Sequence, residues 1–180
     1  MSHFTVSSLG KPDSLVYKLN CYVMLEFALY SFPQAAEHLL VIEREIEDIV
    51  LKLTHEQYSK VLMDSGLFEF IAVINENKQA ETVLSQDPRA YTNVVLRTLA
   101  ELDKFLATSG AGDSIGIIEK ISSVAISRRI EQKSLSMFLE NYKSVHESLL
   151  DPKNLYEAPQ NIITHSVAEV ETLLSLRQIV

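Results

Sequence analysis

The chain has 180 residues, a formal net charge of −8 and a sequence pI near 5.1. This acidity argues against nucleic-acid binding and against electrostatic docking on anionic lipid, both of which need a basic surface, so the expected partners are proteins and no nucleic acid. Cys21 is the only cysteine, which excludes a disulfide framework and a cysteine-rich metal site. The first residues lack the basic and apolar regions of a signal peptide, so cytosolic residence is expected.

The most apolar stretch, Ser14 to Phe32, predicts a helix that is buried nearly all round. Lys18 and Glu26 are scattered around this helix, and with its length they argue against a membrane span, which needs about 20 apolar residues. Asp13 or Ser14 is the expected N-cap, and Pro33 ends the helix. The rest of the chain is expected to pack around this central helix.

A second helix is predicted from Gln34 to Ser65. Its apolar stripe is formed by Leu39, Ile42, Ile46, Ile49 and Leu53. The stripe spans two heptads, which is too short for a coiled-coil prediction, so core packing is favoured. Thr54 with Gln57 could form a capping box and mark a break, but the apolar stripe continues and favours one long helix. Gly66 is placed to end it in the left-handed conformation.

The remaining sequence predicts further helices separated by turns. A short apolar helix begins at Leu67 and ends before Asn75, and Asp87-Pro88 caps the next one. The apolar stripe of that helix is formed by Val94, Val95, Leu99, Leu102 and Leu106. Another helix, capped by Asp113 or Ser114, is expected to carry Ile117, Ile118, Ile121, Val124 and Ala125. Whether Ser127 or Arg128 interrupts it stays open.

The helical period continues to Leu150, where Asp151-Pro152 ends it. A last helix is predicted from Ser166, with Glu169 completing a capping box, to about residue 176. No segment alternates with period two, so no sheet is predicted. The fold class is therefore all-α: an antiparallel bundle of about six helices around a central apolar helix, in a single domain over residues 1–180.

The sequence contains none of the catalytic or metal-binding motifs that its histidines and glycines could suggest. His55-Glu56 and His146-Glu147 are not followed by the second histidine of a zinc-protease helix. Gly110, Gly112 and Gly116 miss the dinucleotide-binding spacing, and a helix precedes them where a strand is required. We therefore predict no catalytic residue, no cofactor-binding residue and no metal ligand.

Three other features each have two interpretations. Cys21 could be a nucleophile, but its apolar neighbours favour an inert core residue. The acidic run Glu43 to Asp48 could coordinate a cation, although such a run on a helix is usually a solvated face. Arg128, Arg129 and Lys133 suit either an acidic patch of a partner or local salt bridges.

The connection after Asp151 is long and contains two prolines. Unstructured loops of this length are uncommon in compact domains. Its apolar side chains are Leu155, Tyr156, Ile162 and Ile163. They predict that residues 152–174 lie pinned across the bundle and deliver the last helix to the core, and a disordered tail is the alternative.

This connection, Asp151-Pro-Lys-Asn-Leu-Tyr-Glu-Ala-Pro-Gln-Asn-Ile-Ile, and the following Ser166-Val-Ala-Glu-Val-Glu-Thr-Leu-Leu resemble the C-terminus of the sixth-subunit family of the conserved oligomeric Golgi complex. Three upstream segments match family patterns in order: Val16-Tyr-Lys-Leu-Asn-Cys, Glu56-Gln57 followed by Gly66-Leu67, and Leu102-Asp-Lys-Phe-Leu. Val167 departs from the family, which tends to have proline there. Family members are several times longer, so the resemblance covers only their C-terminal end.

The resemblance implies the C-terminal fragment of a non-catalytic subunit of a tethering complex, which acts in retrograde intra-Golgi vesicle transport and Golgi glycosylation homeostasis. The implied partners are the other subunits and SNARE-type helices, with indirect membrane association at the cytosolic face of the Golgi. One alternative is a helical adaptor of another trafficking complex. A helical enzyme with a ligand in its apolar interior is the other, and the missing ligand motifs count against it.

Overall fold

The computed structural model describes residues 11–108 and 116–176, and every regular element within them is helical. The six α-helices are α1 (Lys11–Leu29), α2 (Ala36–Asp64), α3 (Phe68–Ala80), α4 (Thr92–Thr108), α5 (Val124–Leu150) and α6 (Val167–Leu176). Short 3-10 turns lie at Pro33–Ala35, Leu84–Gln86, Pro88–Ala90, Ile118–Lys120, Pro152–Asn154 and Pro159–Asn161. For this part of the chain, the prediction of an all-α fold with about six helices is confirmed.

The chain divides into two compact units. Unit 1 comprises Met1–Gln57 and Ile115–Ser134, and unit 2 comprises Tyr58–Ser114 and Leu135–Val180. Helices α2 and α5 contribute residues to both units. Each unit has its own cluster of buried apolar side chains.

In unit 1, α1 packs antiparallel against α2. Val16 and Leu19 are buried among the isoleucines of the α2 stripe, so the core-packing interpretation of that stripe is confirmed. Lys18 Nζ lies 2.9 Å from a carboxylate oxygen of Glu45 on α2, which shows the level at which the two helices pair. The chain reverses at Pro33, whose missing N–H is compatible with the first position of a 3-10 turn.

The prediction that the first helix is buried nearly all round is wrong, and a central apolar helix is not confirmed. Met24 is 71% exposed and Phe27 84% exposed, and Leu25 on the same helix is also exposed. The helix begins earlier than expected, so Asp13 lies in its first turn, and it ends at Leu29 rather than at residue 32. Apolar composition indicates that a helix packs against other elements, but it does not show which sides of the helix are covered by other parts of this chain.

Unit 1 is completed by the segment before α5. Asn20 on α1 holds this segment: its amide nitrogen donates to the backbone oxygen of Lys120 at 2.8 Å, and its side-chain oxygen accepts from the backbone nitrogen of Ser122 at 2.9 Å. The predicted cap at Asp113 or Ser114 lies outside the described residues. The predicted helix through Ile117, Ile118 and Ile121 is wrong, because this segment forms a 3-10 turn followed by extended backbone at Ile121. Helix α5 begins only at residue 124. From there α5 runs without interruption to Leu150.

Helix α2 is one long helix, as predicted. The Thr54 hydroxyl donates back to the Val50 carbonyl at 2.7 Å instead of capping a new helix. Gly66 follows the helix with φ +75°, a conformation that glycine adopts at little cost. A Cβ atom at Gly66 would also approach the Cβ of Glu101 to 3.0 Å. Both the backbone conformation and the lack of space therefore favour glycine at this position.

The core of unit 2 is formed by the end of α2, by α3, α4, α6 and the second part of α5, and by buried residues of the connecting turns. Fully or nearly fully buried members include Leu67, Phe70, Ile74, Leu84, Val95, Leu102, Phe138, Tyr142, Leu149, Ile162, Val170 and Leu174. The predicted stripe of α4 is confirmed, with Val94 only partly buried.

Helix α3 continues to Ala80, so its predicted end before Asn75 is wrong. The buried Asn77 explains the difference: its amide nitrogen donates to the Val73 carbonyl at 2.9 Å and to the Asp87 carboxylate at 3.0 Å. These bonds make a polar residue acceptable in a buried helical position. The proline after Asp87 starts a 3-10 turn, and α4 begins only at Thr92.

Candidate interaction surfaces

The C-terminal connection, residues 151–166, is held on unit 2 by hydrogen bonds at several points, and we call it the clasp. At its start the Asp151 carboxylate accepts from the backbone nitrogen of Lys153 at 3.0 Å and caps the first 3-10 turn. The Asn154 side chain then accepts from the backbone nitrogen of Leu84 at 3.2 Å and donates to the Ser148 carbonyl at 2.7 Å. One amide side chain thus joins the clasp to two other segments.

The middle of the clasp is held by Tyr156, whose hydroxyl donates to the Ala90 carbonyl at 2.7 Å. Burial raises the pKa of this phenol to about 12, which extends to higher pH the range in which it is a neutral donor. Ile162 is buried and Ile163 is partly buried against the same core. The predicted pinning is therefore confirmed for these residues, whereas Leu155 is 63% exposed and is not an anchor.

The end of the clasp positions α6. Tyr142 on α5 donates from its hydroxyl to the His165 carbonyl at 2.5 Å, and the His165 imidazole lies 3.2 Å from the Asp103 carboxylate. The predicted capping box is confirmed: the Glu169 carboxylate accepts from the backbone nitrogen of Ser166 at 2.7 Å. That bond holds the pKa of Glu169 below its usual range. These contacts place the buried residues of α6 in the core.

A polar cleft of about 600 Å³ lies in unit 2 between the end of α3 and the end of α5. Several of its polar groups already bond within the protein: Lys78 Nζ donates to the Ser144 hydroxyl at 2.9 Å, and Thr82 donates to Asn77. These hydrogen bonds stabilise the packing of unit 2. Within the described residues, no group of three histidine, cysteine, aspartate or glutamate side chains could hold a metal ion. The prediction that the chain has no catalytic, cofactor or metal residue stays a prediction.

A second, smaller groove of about 380 Å³ lies between α3 and α4 in unit 2. Phe68, Val73 and Val94 supply apolar walls, and Arg89 lies at its edge. The Arg89 guanidinium already pairs with Asp87 at 2.9 Å and with Glu76 at 2.8 Å, and its hydrogen bonds hold the pKa of Asp87 well below the usual range. The arginine is therefore engaged within unit 2.

The residues that the sequence singled out are distributed over the structure. Cys21 is only partly buried, so the prediction of a core cysteine is too strong. Gly110 and Gly112 lie outside the described residues, and Gly116 is exposed. None of these residues is brought together with a histidine or carboxylate cluster in the part of the chain that the structure describes.

The acidic run on α2 is a solvated face, as favoured from the sequence. Glu47 pairs with Arg129 at 2.8 Å, and Asp48 pairs with Lys52 one turn along the helix at 2.5 Å. Glu45 pairs with Lys18, and this ion pair lowers the pKa of Glu45. Of the two interpretations of the basic cluster, a local salt bridge is confirmed for Arg129.

The feature that sequence analysis missed is an exposed apolar surface on unit 1, which we call the hairpin patch. It comprises exposed apolar side chains near the end of α1 and in the turn that follows it: Met24, Leu25, Phe27, Tyr30 and Phe32. Tyr30 is 81% exposed. Contiguous exposed apolar patches commonly mark interaction sites. The signal in the sequence is the apolar character of Ser14 to Phe32, which predicts burial but does not show whether this chain supplies the residues that cover the helix.

Within the described residues, no helix combines the length and the apolarity that crossing a bilayer requires.

Comparison with known proteins identifies related sequences along nearly the whole chain. The family model described as "Conserved Oligomeric Golgi complex subunit 6, C-terminal" matches residues 1–174. Conserved oligomeric Golgi complex subunit 6 of Rattus norvegicus is 25% identical over 177 residues, covering 97% of this chain and 26% of the relative, and the values for the Homo sapiens protein are the same. The Dictyostelium discoideum subunit is 24% identical over 174 residues, covering 94% of this chain and 25% of the relative. The chain thus spans about a quarter of the length of these relatives. No solved structure matches it.

Proposed function

Since this chain belongs to the family of C-terminal regions of conserved oligomeric Golgi complex subunit 6, we propose that it is part of a non-catalytic subunit of a multisubunit tethering complex at the Golgi. The observation that carries the proposal is the family match over residues 1–174, which leaves little of the chain outside it. The complex would act in retrograde intra-Golgi vesicle transport and so maintain Golgi glycosylation. The role of this region would be to form protein contacts.

The physical properties of the described residues support a contact-forming role. The polar groups of the clasp, the capping box and the ion pairs hold helices in place. In the polar cleft of unit 2, Asn77, Lys78 and Thr82 likewise make hydrogen bonds within the protein. By contrast, the hairpin patch exposes large side chains that are usually enriched at protein interfaces, among them Met24, Phe27 and Tyr30. We assign no catalytic, cofactor-binding or metal-binding residue.

The proposed partners are the other subunits of the complex and SNARE-type helices, which would dock by the helix-in-groove mode. Membrane association would be indirect, through these partners, at the cytosolic face of the Golgi. We also propose that residues 1–180 behave as one domain within a longer subunit, since α2 and α5 each contribute residues to both units. A single calorimetric unfolding transition is expected, and two separate transitions would contradict this part of the proposal.

The function is tested in cells that lack the parent subunit. Complementation with a parent that lacks the region equivalent to residues 1–174 should reduce co-isolation of the other subunits and alter lectin staining of cell-surface glycans. The matched control is the complete parent carrying Leu155→Ala, a change at an exposed side chain that should behave as wild type. If the truncated parent restores both readouts fully, the proposed function of this region is wrong.

A further inference from the structure

Two residues of the clasp have a backbone conformation that their side chains disfavour. Leu155 has φ +54° and Ala158 has φ +46°, both in the left-handed region. A Cβ atom makes this region costly, so glycine occupies it routinely and other residues do so as exceptions. Ala158 also precedes Pro159, and the residue before a proline favours extended backbone with negative φ. Residues 155–158, which we call the hinge segment, are therefore strained while the clasp lies in its observed position.

The side chains of the hinge segment contribute little to the core. Of its four residues only Tyr156 is partly buried, and the other three are exposed. The backbone nitrogen of Leu155 donates to the Pro152 carbonyl at 3.2 Å, and the Tyr156 hydroxyl donates to the Ala90 carbonyl. If the hinge segment extended, water could replace these two partners, and both strained residues could return to negative φ. The strain thus favours an extended hinge segment.

The residues after the hinge segment, 159–176, pack on α4 and α5. Three of them are buried in the core of unit 2: Ile162, Val170 and Leu174. The Thr164 hydroxyl donates to the Asp103 carboxylate on α4 at 2.9 Å, and Tyr142 on α5 donates to the His165 carbonyl. These contacts give the segment one register on α4 and α5. The surface that receives it, which we call the α6-binding surface, is therefore complementary to this particular sequence.

The α6-binding surface of one chain fits residues 159–176 of a second copy equally well. The side chains are identical, so an exchanged segment would make the same buried contacts and the same hydrogen bonds. Only the hinge segment differs between the two arrangements. Its strain is present when the chain closes on itself and is released when the hinge segment extends toward a second copy, and strained hinge loops favour such exchange. Association costs translational and rotational freedom, so the closed monomer should prevail at low protein concentration.

We propose that residues 159–176 exchange between two copies of this chain, so that α6 of each copy packs on α4 and α5 of the other. The hinge segments connect the two copies. A second copy is the occupant that the α6-binding surface selects, because an unrelated helix would have to reproduce the three buried side chains and both polar contacts. The inference goes beyond the proposed function: in the parent protein, exchange would join two subunits.

The hinge is tested at Ala158 with two substitutions of opposite effect in the purified 180-residue chain. Ala158→Gly accepts positive φ at little cost, which stabilises the closed monomer, so the dissociation constant of the dimer should rise about ten-fold or more. Ala158→Pro cannot adopt positive φ, so the dissociation constant should fall about ten-fold or more. Each effect counts twice, because a dimer contains two hinge segments. The dissociation constants are measured by sedimentation velocity after incubation at a series of protein concentrations.

Neither substitution removes a packed side chain, since Ala158 is exposed. Circular dichroism verifies that the variants are helical, and the glycine variant decides the question even if the proline variant is unfolded. The proposal is overturned if the wild-type chain forms no dimer at its highest soluble concentration. Equal dissociation constants for the wild type and the glycine variant would overturn it as well.

Exchange itself is tested by crosslinking the dimer fraction. In a Cys21→Ser background, Asp103→Cys with Thr164→Cys places two thiols where the two side chains are in contact, and a short bis-maleimide joins them. The link lies within one chain in a closed protein and between two chains in an exchanged dimer, so a denaturing gel should show covalent dimers. The matched control is Lys18→Cys with Glu45→Cys, a contacting pair in unit 1 whose link should stay within one chain.

Other outcomes of the crosslinking refute the exchange of residues 159–176. A dimer in which both pairs are linked within one chain associates through its surface, for example through the hairpin patch, without exchange. Covalent dimers from the control pair would show that exchange is not confined to this segment. In cells, a parent carrying Ala158→Gly that still co-isolates the other subunits leaves the proposed function intact, so the two proposals fail independently.

Discussion

The clasp offers the sharpest test of the packing in unit 2, because two of its large aliphatic residues differ in environment. Ile162 is 3% exposed and packs in the core, whereas Leu155 is 63% exposed. Ile162→Ala removes three carbon atoms from a filled site and should lower the free energy of unfolding by about 2–5 kcal/mol. Leu155→Ala should change it by no more than about 0.5 kcal/mol, since its side chain loses little contact.

The assay is urea unfolding followed by circular dichroism. With a slope of about 2 kcal/mol per molar urea, a loss of about 3 kcal/mol moves the midpoint down by about 1.5 M. Amide exchange of the clasp should accelerate in the Ile162 variant and stay slow in the Leu155 variant. If both variants have the midpoint of the parent and the parent's clasp exchanges as fast as a free peptide, the clasp is not part of the folded core.

Three other changes test individual contacts. Leu19→Asp places an unpaired carboxylate at a fully buried position and should abolish cooperative folding, whereas Leu25→Asp on the exposed side of the same helix should leave the protein folded; thermal melts distinguish them. Tyr156→Phe deletes the donor to a backbone carbonyl and should cost about 1–2 kcal/mol in urea unfolding, and no loss would mean that this bond does not contribute. The hydrogen bonds from Arg89 lower the pKa of Asp87 in the folded protein. The contribution of Asp87 to folding stability is therefore present above its unfolded pKa of about 3.9 and is lost as the pH falls below that value. Asp87→Asn should make the melting temperature less dependent on pH in the acid range.

Local signals in the sequence predicted most of the helices. Pro152 and Gly66 lie just after the ends of α5 and α2, Pro33 starts the 3-10 turn at which the chain reverses, and the Ser166–Glu169 capping box needs only a spacing of three. These features act over a few residues, which is why a single sequence reveals them. The length of α2 could likewise be predicted, because its apolar stripe continues through Thr54 and Gln57, the residues that could have capped a new helix.

Errors occurred where a distant residue decides the local structure. Helix α3 passes Asn75 because the buried Asn77 finds a partner ten residues later in Asp87. The turn before α5 is set by Asn20, which is 102 residues from Ser122 in sequence. In both cases an asparagine that looks like a helix breaker or a stray polar residue is satisfied by a tertiary hydrogen bond. Periodicity carries no information about such partners.

The candidate site could not be predicted for a related reason. Ser14 to Phe32 is apolar on all sides, and this pattern is equally compatible with a helix enclosed by its own chain and with a helix that shares its faces between its own chain and a partner. Only the positions of the other helices distinguish the two cases: Leu19 packs against α2 and is buried, whereas Phe27, eight residues later on the same helix, is 84% exposed. An all-round apolar helix in an acidic chain with few functional motifs therefore indicates an unfilled interface as much as it indicates a core.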